Sequence, residues 1–238
     1  MHSIPLVHVP DLPLVPLHED EHLLAFDKPP GLLCVPGRGP DKQDCLIHRV
    51  QAQRWPEALI IHRLDMATSG IVLMARHPEA QRAMSAAFAE RQVSKEYEAI
   101  VAGSPHCPDG AWQEIDAPIL LDWPRRPIHI IDPAGKSSLT QWKLIESMND
   151  ASFLTSADDL SEIRPYSVSR LALRPVTGRT HQLRVHLQYR GWPILGDTLY
   201  APQAVQKASN RLLLHARLLH FLNPMTGSKV WIESSVPF

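Results

Sequence analysis

A nine-residue polar turn that leads straight into a fully apolar strand constrains this chain more than any other feature. Residues 62–70 read His-Arg-Leu-Asp-Met-Ala-Thr-Ser-Gly, and the apolar run 71–75 follows at once. The strand should hold the Asp65 carboxylate in place on its loop. Loops fixed by rigid elements carry much of enzyme chemistry, so Asp65 is a candidate acid, base or nucleophile. The structural alternative is an Asp that only satisfies a turn.

Two more segments show strand-like patterns. Residues 23–26 are Leu-Leu-Ala-Phe, and the sequence Lys-Pro-Pro-Gly at 28–31 must then end the run. In the segment 94–101, Tyr97 and Ala99 lie on one face of a strand with period-two alternation. Ordinary packing in a half-buried sheet is the alternative explanation for Tyr97.

A fourth motif, Gly-Arg-Thr-His-Gln-Leu-Arg-Val-His at 178–186, predicts a helix. Thr180 is its expected N-cap, and the helix should end near Gly191. His181 and Arg184 are three residues apart, so they are near neighbours on a helix. The alternative is that these polar side chains form a solvated face.

In their order and spacing these motifs resemble the signature of the RluA family of RNA pseudouridine synthases. A closing Leu-His-Ala at 214–216 extends the resemblance to about residues 20–233. The resemblance implies that Asp65 is the essential catalytic residue and that Tyr97 stacks on the target base. It also implies that Arg184 pairs with the catalytic carboxylate and that Arg63 enters the space left by the flipped base.

Many short strand patterns with few helices favour an α+β fold over a doubly wound parallel sheet. The resemblance implies the pseudouridine synthase fold, a long mixed, mainly antiparallel sheet with flanking helices and a central cleft. Residues 1–17 contain four prolines and are expected to form an extended arm, and 18–238 to form a single catalytic domain. Only 19 residues precede the first matched strand, so we expect no S4 domain. The polar segment 146–165 is predicted to be a surface insertion.

The net charge of −1 is unusual for a protein that binds RNA, but the charges are segregated. Residues 164–192 contain six arginines and no acid, whereas residues 146–162 contain five acids and no lysine or arginine. Segregated charge can give a basic cleft on a nearly neutral protein, so the pattern is compatible with a phosphate backbone as ligand. A mixed solvated surface is the alternative.

The chain lacks an apolar stretch long enough to cross a membrane, and residues 1–6 do not resemble a secretory signal. Its three cysteines are an odd number without close spacing, which favours a reducing compartment. We therefore expect a cytoplasmic protein without a membrane partner. The resemblance implies a monomer.

The reaction implied by the resemblance breaks the N1–C1′ bond of uridine, turns the uracil and rejoins it through C5. It involves no net oxidation or hydrolysis, so no cofactor is expected. A carboxylate suits it because C1′ gains positive character as the bond breaks. Asp65 either attacks C1′ or removes a sugar proton, and the sequence does not choose between these routes. The Arg184 guanidinium, which can donate two parallel hydrogen bonds to a carboxylate, would keep Asp65 ionised. The Tyr97 hydroxyl would help to move the C5 proton.

RNA is the expected partner, since the subgroup resembled acts on a hairpin of 23S ribosomal RNA and on the anticodon stem-loop of transfer RNA. Either or both are possible targets. Flipping the uridine out of its stack costs a few kcal/mol, part of which a stacking ring recovers. The further candidates for contacts to RNA are Lys28, Arg125, Arg126, Arg179 and His181.

Two other functions fit parts of the sequence. A metal-dependent hydrolase would use some of the 13 histidines, but pairs such as His181 and His186 are five apart, whereas helical metal pairs prefer a spacing of four. We therefore predict no metal site. An RNA-binding module without catalysis would need no catalytic carboxylate, and the presence of Asp65, Tyr97 and Arg184 together argues against it.

Overall fold

A computed structural model of the chain describes residues 13–107, 110–148 and 167–238. The strands are β1 (Pro16–Glu19), β2 (Leu23–Lys28), β3 (Leu59–Ile60), β4 (Ser69–Ala75), β5 (Ser94–Ala102), β6 (Gln113–Asp116), β7 (Ile119–Leu121), β8 (His129–Ile131), β9 (Leu139–Met148), β10 (Val168–Pro175), β11 (Leu214–Leu222) and β12 (Lys229–Glu233). The α-helices are α1 (Leu46–Gln53), α2 (Pro78–Ala89), α3 (Gln182–Tyr189) and α4 (Gln203–Lys207). Extensive antiparallel pairing with few helices confirms the predicted α+β class. None of the helices in these ranges is long and apolar enough to cross a bilayer.

The chain contains two compact units. The first comprises the described residues up to Ser94 together with Ala216–Ser235. The second runs from Lys95 to His215 and includes Val236–Phe238. The stretch 18–238, expected to form a single domain, therefore contains both units.

In the first unit, β1, β2, β4 and β11 are neighbours in that order, β3 pairs with β4, and β12 pairs with β11. Strands β2 and β4 are antiparallel, with Leu23 opposite Ala75 and Lys28 opposite Gly70. Alternate residues of these strands pack against Ala80, Met84 and Ala87 of α2. This burial of one sheet face by an amphipathic helix fixes the register of β4, and with it the point at which the preceding loop enters the strand.

The predicted N-terminal arm lies mostly outside the described residues. Its end is described: Pro16 and Leu17 begin β1, which pairs with β2. A proline at the first position of an edge strand is compatible with pairing, because its missing N–H is not needed there.

In the second unit, β5, β10, β9 and β6 are antiparallel neighbours in that order, and β7 and β8 form a separate hairpin. Helix α3 packs against β8, β9 and β10. The predicted insertion at 146–165 overlaps the end of β9, and its residues 149–165 lie outside the described part of the chain.

The predicted Thr180 cap is wrong. His181 is the N-cap of α3, in the left-handed region with φ 55°, and its side chain does not cap the helix. The Gln182 side chain instead accepts a hydrogen bond from the Arg179 N–H at 3.0 Å, so the helix start is held by the residue after the cap. The predicted end is confirmed, since α3 stops at Tyr189 and Gly191 adopts φ 77°.

Candidate active site

Asp65 lies in the first unit, in the loop that joins β3 to β4. Its carbonyl oxygen accepts a hydrogen bond from the Thr68 N–H at 3.1 Å, which closes a turn over residues 65–68. The Asp65 side chain is half-buried and that of Arg63 is exposed. The turn and the strand that follows it are as the sequence predicted.

The backbone on both sides of Asp65 is held by residues 28–34. Before it, the Cys34 Sγ accepts a hydrogen bond from the Leu64 N–H at 3.2 Å and donates one to the Leu64 carbonyl at 3.4 Å. After it, the Met66 carbonyl accepts from the Gly31 N–H at 2.8 Å and from the Lys28 Nζ at 3.1 Å. The Lys-Pro-Pro-Gly motif and Cys34 therefore clamp the loop, and Asp65 lies between the two clamped residues.

Lys28 does not have the role predicted for it. Its side chain is 0% exposed, and Nζ donates to the carbonyl oxygens of Pro29 and Leu32 as well as Met66. A lysine ammonium has three donors, and three backbone acceptors surround this one. The prediction of a phosphate contact is therefore wrong, because the side chain is enclosed. Lys28 positions the loop instead.

The first and last residues of the polar turn have structural roles. The His62 Nε2 accepts a hydrogen bond from the Leu73 N–H at 3.0 Å, which ties the loop to β4. Gly70 adopts φ 113°, and a Cβ there would overlap the backbone of Ala216 on β11. A glycine is required at this point because it permits both the backbone conformation and the close approach.

The thiol beneath the loop stays protonated. Burial raises the pKa of Cys34, and the nearby Asp65 carboxylate raises it further, while the charges of Lys28 and Arg63 lower it in part. A protonated thiol can donate to the Leu64 carbonyl, whereas a thiolate could not. The raised pKa is therefore consistent with the hydrogen bonds that Cys34 makes.

Arg184 lies in the second unit, on α3, and is 4% exposed. Its Nε and Nη2 donate to the two carboxylate oxygens of Asp197, at 2.8 and 2.6 Å. Asp197 also accepts from the N–H groups of Leu199 and Tyr200, at 2.9 and 3.1 Å. A buried, bidentate pair with further hydrogen bonds fixes the orientation of the guanidinium.

Tyr200 links Arg184 to the start of α3. The Arg184 guanidinium lies 5.1 Å from the centre of the Tyr200 ring. The Tyr200 hydroxyl lies 2.6 Å from the His181 Nδ1 and accepts from the His129 N–H at 3.1 Å. His181 is therefore packed in a polar cluster.

The structure places Tyr97, as predicted, on β5 of the same unit, where it is half-buried and opposite Leu173.

Of the two interpretations of the segregated charge, a basic cleft and a mixed surface, the described ion pairs favour the mixed surface for part of the arginine-rich stretch. Arg170 pairs with Glu98 at 3.1 Å and Arg174 with Glu96 at 3.0 Å, in addition to the pair of Arg184 with Asp197. Arg164 lies outside the described residues. Sheet pairing brings acids from β5 beside Arg170 and Arg174 of β10, which compensates these two charges, and Asp197 compensates that of Arg184.

Arg179, Arg125 and Arg126 are exposed, as contacts to RNA would require. The Nε of Arg179 donates to the Ser137 carbonyl at 3.2 Å. Arg125 and Arg126 lie between β7 and β8.

Across the described ranges there is no group of three or more His, Cys, Asp or Glu side chains that could hold a metal ion.

The sequence family of the chain can now be compared with this geometry. The family model for RNA pseudouridylate synthases matches residues 22–189, a stretch that contains the Asp65 loop, Tyr97 and Arg184. The chain belongs to the RNA pseudouridylate synthase family. This confirms the family predicted from the motifs, and the protein is an isomerase that makes pseudouridine in RNA.

Relatives of this synthase match over most of its length. The "Dual-specificity RNA pseudouridine synthase RluA" of Escherichia coli (strain K12) is 37% identical over 226 residues, covering 94% of each chain. That of Vibrio vulnificus (strain CMCP6) is 38% identical over 219 residues, covering 92% of this chain and 80% of the relative. The solved structure "Human RNA Pseudouridylate Synthase Domain Containing 1" has a TM-score of 0.76 and 25% identity, covering 98% of this chain and 87% of the human chain. The fold and the family therefore agree.

Two residues that hold the site of this synthase were not identified from the sequence. Asp197 is the first acidic residue after the arginine-rich stretch. That position was the feature of the sequence that could have suggested Asp197 as the charge partner of a nearby arginine. Cys34 had no such signal, because a single buried cysteine in an apolar context is ordinary. Only the folded chain shows that its thiol reaches Leu64.

Proposed function

We propose that this synthase isomerises uridines in hairpin loops of 23S ribosomal RNA, of the transfer RNA anticodon stem-loop, or of both, and that Asp65 acts on the ribose. The clamp on either side of Asp65 is the observation that carries this proposal. Catalysis by a carboxylate needs a fixed position relative to C1′, since small misplacements lower the rate steeply. Residues 28–34 supply that fixed position in a loop whose carboxylate is half-buried rather than enclosed.

In the proposed reaction the electron pair of the N1–C1′ bond leaves with the uracil as C1′ gains positive character. Asp65 either forms a bond to C1′, which breaks again when C5 attacks, or removes a sugar proton, which it returns when the new C5–C1′ bond forms. The uracil then turns, C5 forms the new bond to C1′, and the C5 proton is lost to a base while N1 is protonated. The atoms of substrate and product are the same, so the reaction requires no oxidant, reductant or cofactor.

The other roles stay predictions from the sequence. Arg184 would pair with the catalytic carboxylate, Tyr97 would stack on the uracil, and Arg63 would fill the space left by the flipped base. The exposed side chain of Arg63 and the rigid mounting of Arg184 on Asp197 are compatible with these roles. Contacts of Arg125, Arg126, Arg179 and His181 to RNA belong to the same proposal. We place the enzyme in the cytoplasm, as a monomer.

The test is Asp65→Asn, which keeps the size of the side chain and removes its charge. Purified variant and wild type are compared for pseudouridine formation in synthetic ribosomal and transfer RNA hairpins, and for binding to the same hairpins. We expect turnover to be lost and binding to be kept. Asp41→Asn, at an exposed position, is the matched control and should behave as wild type. Turnover by the Asp65 variant at the wild-type rate would contradict the proposal.

The targets are identified in cells. Pseudouridine is mapped in total RNA from cells with and without the gene, and from cells that carry the Asp65 variant. Sites that disappear in both mutant strains are substrates. Loss in ribosomal RNA alone, transfer RNA alone or both decides among the alternatives, and unchanged maps would contradict the proposal.

A further inference from the structure

The hairpin of β7 and β8 has an exposed tip with an unusual composition. Its tip, residues 122–128, reads Asp-Trp-Pro-Arg-Arg-Pro-Ile, and residues 123–127 are all exposed. The Trp123 side chain is 65% exposed. A large aromatic ring held in water, followed in the chain by two prolines and two arginines, has no role in the core of either unit.

The tip is rigid rather than a loose loop. The Asp122 N–H donates to the Ile128 carbonyl at 2.9 Å, and the Ile128 N–H donates to the Arg125 carbonyl at 3.0 Å. The Asp122 carboxylate accepts from the Arg125 Nε at 2.6 Å. Residues 123–125 form a short 3-10 helix within this frame. A ring presented by a pre-organised tip loses little conformational entropy when it binds a ligand.

The hairpin tip carries a positive charge, that of Arg126, beside the Trp123 ring. The Arg126 guanidinium lies 4.8 Å from the centre of the Trp123 ring, which is within the range of a cation–π contact. Asp122 is the sole acid in the segment 117–131, and Arg125 pairs with it. An indole beside a guanidinium matches a nucleotide, because a base has a π-face and its phosphate is an anion.

The base of the hairpin is attached to the polar cluster of the second unit. His129 lies two residues after Pro127, and its ring centre is 5.3 Å from that of His181. The Ala117 carbonyl lies 3.0 Å from the Nε2 of His186 on α3. The base of the hairpin is therefore held against α3 and against His181, which precedes that helix. His181 is itself a proposed contact to RNA.

We propose that the hairpin tip is an RNA-docking element in which Trp123 stacks on an unpaired base of the substrate loop and Arg126 contacts the neighbouring phosphate. The proposal rests on the proposed function and adds to it a contact outside the target uridine. It makes the enzyme favour hairpins with splayed loop bases over continuous duplex, since a stacked ring needs a base that has left its helix.

Trp231 provides a matched control. It is 60% exposed, on β12 of the first unit, and its Nε1 donates to Glu233 at 2.7 Å. Trp123→Ala and Trp231→Ala therefore remove the same exposed ring from different surfaces. Trp123→Phe keeps a stacking ring, and Arg126→Ala removes the guanidinium beside the ring while keeping the ring itself. The thermal unfolding curve of each variant shows whether it folds as the wild type does.

The probes are a synthetic RNA with the sequence of a transfer RNA anticodon stem-loop and a fully paired duplex of the same length. We expect Trp123→Ala to weaken stem-loop binding about 5- to 150-fold and to leave duplex binding and the salt dependence unchanged. The Trp231→Ala variant should bind the stem-loop as wild type does. The Trp123→Phe variant should lose little of its affinity for the stem-loop. Arg126→Ala should lower the slope of log K against log salt by about 0.7.

A spectroscopic readout tests the stack directly. The adenine analogue 2-aminopurine is placed at successive loop positions outside the target uridine, and its fluorescence is measured with and without enzyme. We expect quenching at one position by the wild type and by Trp231→Ala, and its loss with Trp123→Ala. Absence of a position whose quenching depends on Trp123 would overturn the proposal.

Further outcomes separate this inference from the proposed function. Equal binding by the two alanine variants, or an equal loss on stem-loop and duplex, would overturn the docking role. A change in oligomeric state with unchanged RNA binding would assign the tip to a second copy of this chain instead. If wild type binds and converts the hairpin while Trp123→Ala has no effect, only this inference fails. If wild type neither binds nor converts any hairpin, the proposed function fails as well.

Discussion

The Cys34 thiol makes two hydrogen bonds to a single residue, Leu64, accepting from its N–H at 3.2 Å and donating to its carbonyl at 3.4 Å. Leu64 directly precedes Asp65 along the chain. A thiol is a weak partner for a hydrogen bond, yet this one satisfies both backbone groups of a buried residue. The position of the proposed catalytic carboxylate therefore depends on a side chain that lies 30 residues before Leu64 in the sequence.

Replacing Cys34 by Ala removes both contacts. We expect kcat to fall at least tenfold with a smaller change in KM, because the loop of Asp65 loses its anchor while the RNA surface is kept. The measurement is steady-state pseudouridine formation over a range of hairpin RNA concentrations, which gives kcat and KM separately. Cys45→Ala, which also removes a buried thiol, is the control and should affect stability without a comparable change in kcat. Cys34→Ser, which keeps a donor and an acceptor, should recover part of the rate.

Lys28→Met tests whether this lysine positions the loop or binds phosphate. The change leaves three carbonyl oxygens, one buried and two half-buried, without the ammonium, which should lower the free energy of unfolding by about 1–3 kcal/mol. The salt dependence of RNA binding should not change. Arg179→Ala, at an exposed position, should instead lower the slope of log K against log salt by about 0.7–0.9 and leave stability unchanged. A reduced slope in the Lys28 variant would restore the phosphate contact.

Asp197→Ala leaves the buried Arg184 guanidinium without its bidentate partner. We expect the free energy of unfolding to fall by about 3–5 kcal/mol, as when one member of a buried ion pair is removed. Urea unfolding measures the effect. Asp44→Ala breaks the pair with Arg49, in which the carboxylate is 59% exposed, and should cost about 1 kcal/mol. Similar losses in the two variants would show that the buried pair is not structurally important. The Arg184→Lys variant keeps the positive charge but cannot donate two parallel hydrogen bonds to Asp197. It should therefore be less stable than the wild type.

His186 makes the stability of the protein depend on pH. Burial lowers the pKa of His186, against smaller opposing effects of its contact with the Ala117 carbonyl and of the Asp116 charge. The folded state therefore binds this proton more weakly than the unfolded state, whose pKa is about 6.5. The contribution to stability is complete above that value and declines as the pH falls below it.

The measurement is urea unfolding of wild type and His186→Gln between pH 5 and 8. Wild type should lose more stability than the variant as the pH falls through 6.5, because glutamine does not titrate. Parallel pH profiles of the two proteins would contradict this assignment. The His220→Gln variant, with a half-buried histidine on β11, is the control and should follow wild type.

Much of the fold follows from local patterns. Period-two alternation predicted a strand at 94–101, which lies within β5, and the motif at 178–186 predicted the helix that is α3. The polar turn before β4 also lies where its residues indicated. These features could be predicted because period and turn chemistry are determined by neighbours within a few positions.

The site could be predicted only in part. The residue types at Asp65, Tyr97 and Arg184 and their order along the chain identified the family, and with it the chemistry. Asp197 beside Arg184 and Cys34 beside the Asp65 loop were not predicted, because a pattern that specifies a residue does not specify which distant residue meets it. Lys28 shows this most clearly, since a lysine at the end of a strand is usually exposed.

The sequence by itself determined where most of the chain is helix, strand or turn, and the family to which the protein belongs. Only the tertiary structure decided which charges compensate each other. Arg170 meets Glu98 across 72 residues because β10 pairs with β5, and Arg184 meets Asp197 because the chain returns beside α3. The physical reason is that electrostatic contacts depend on distance in space, whereas sequence patterns record only distance along the chain.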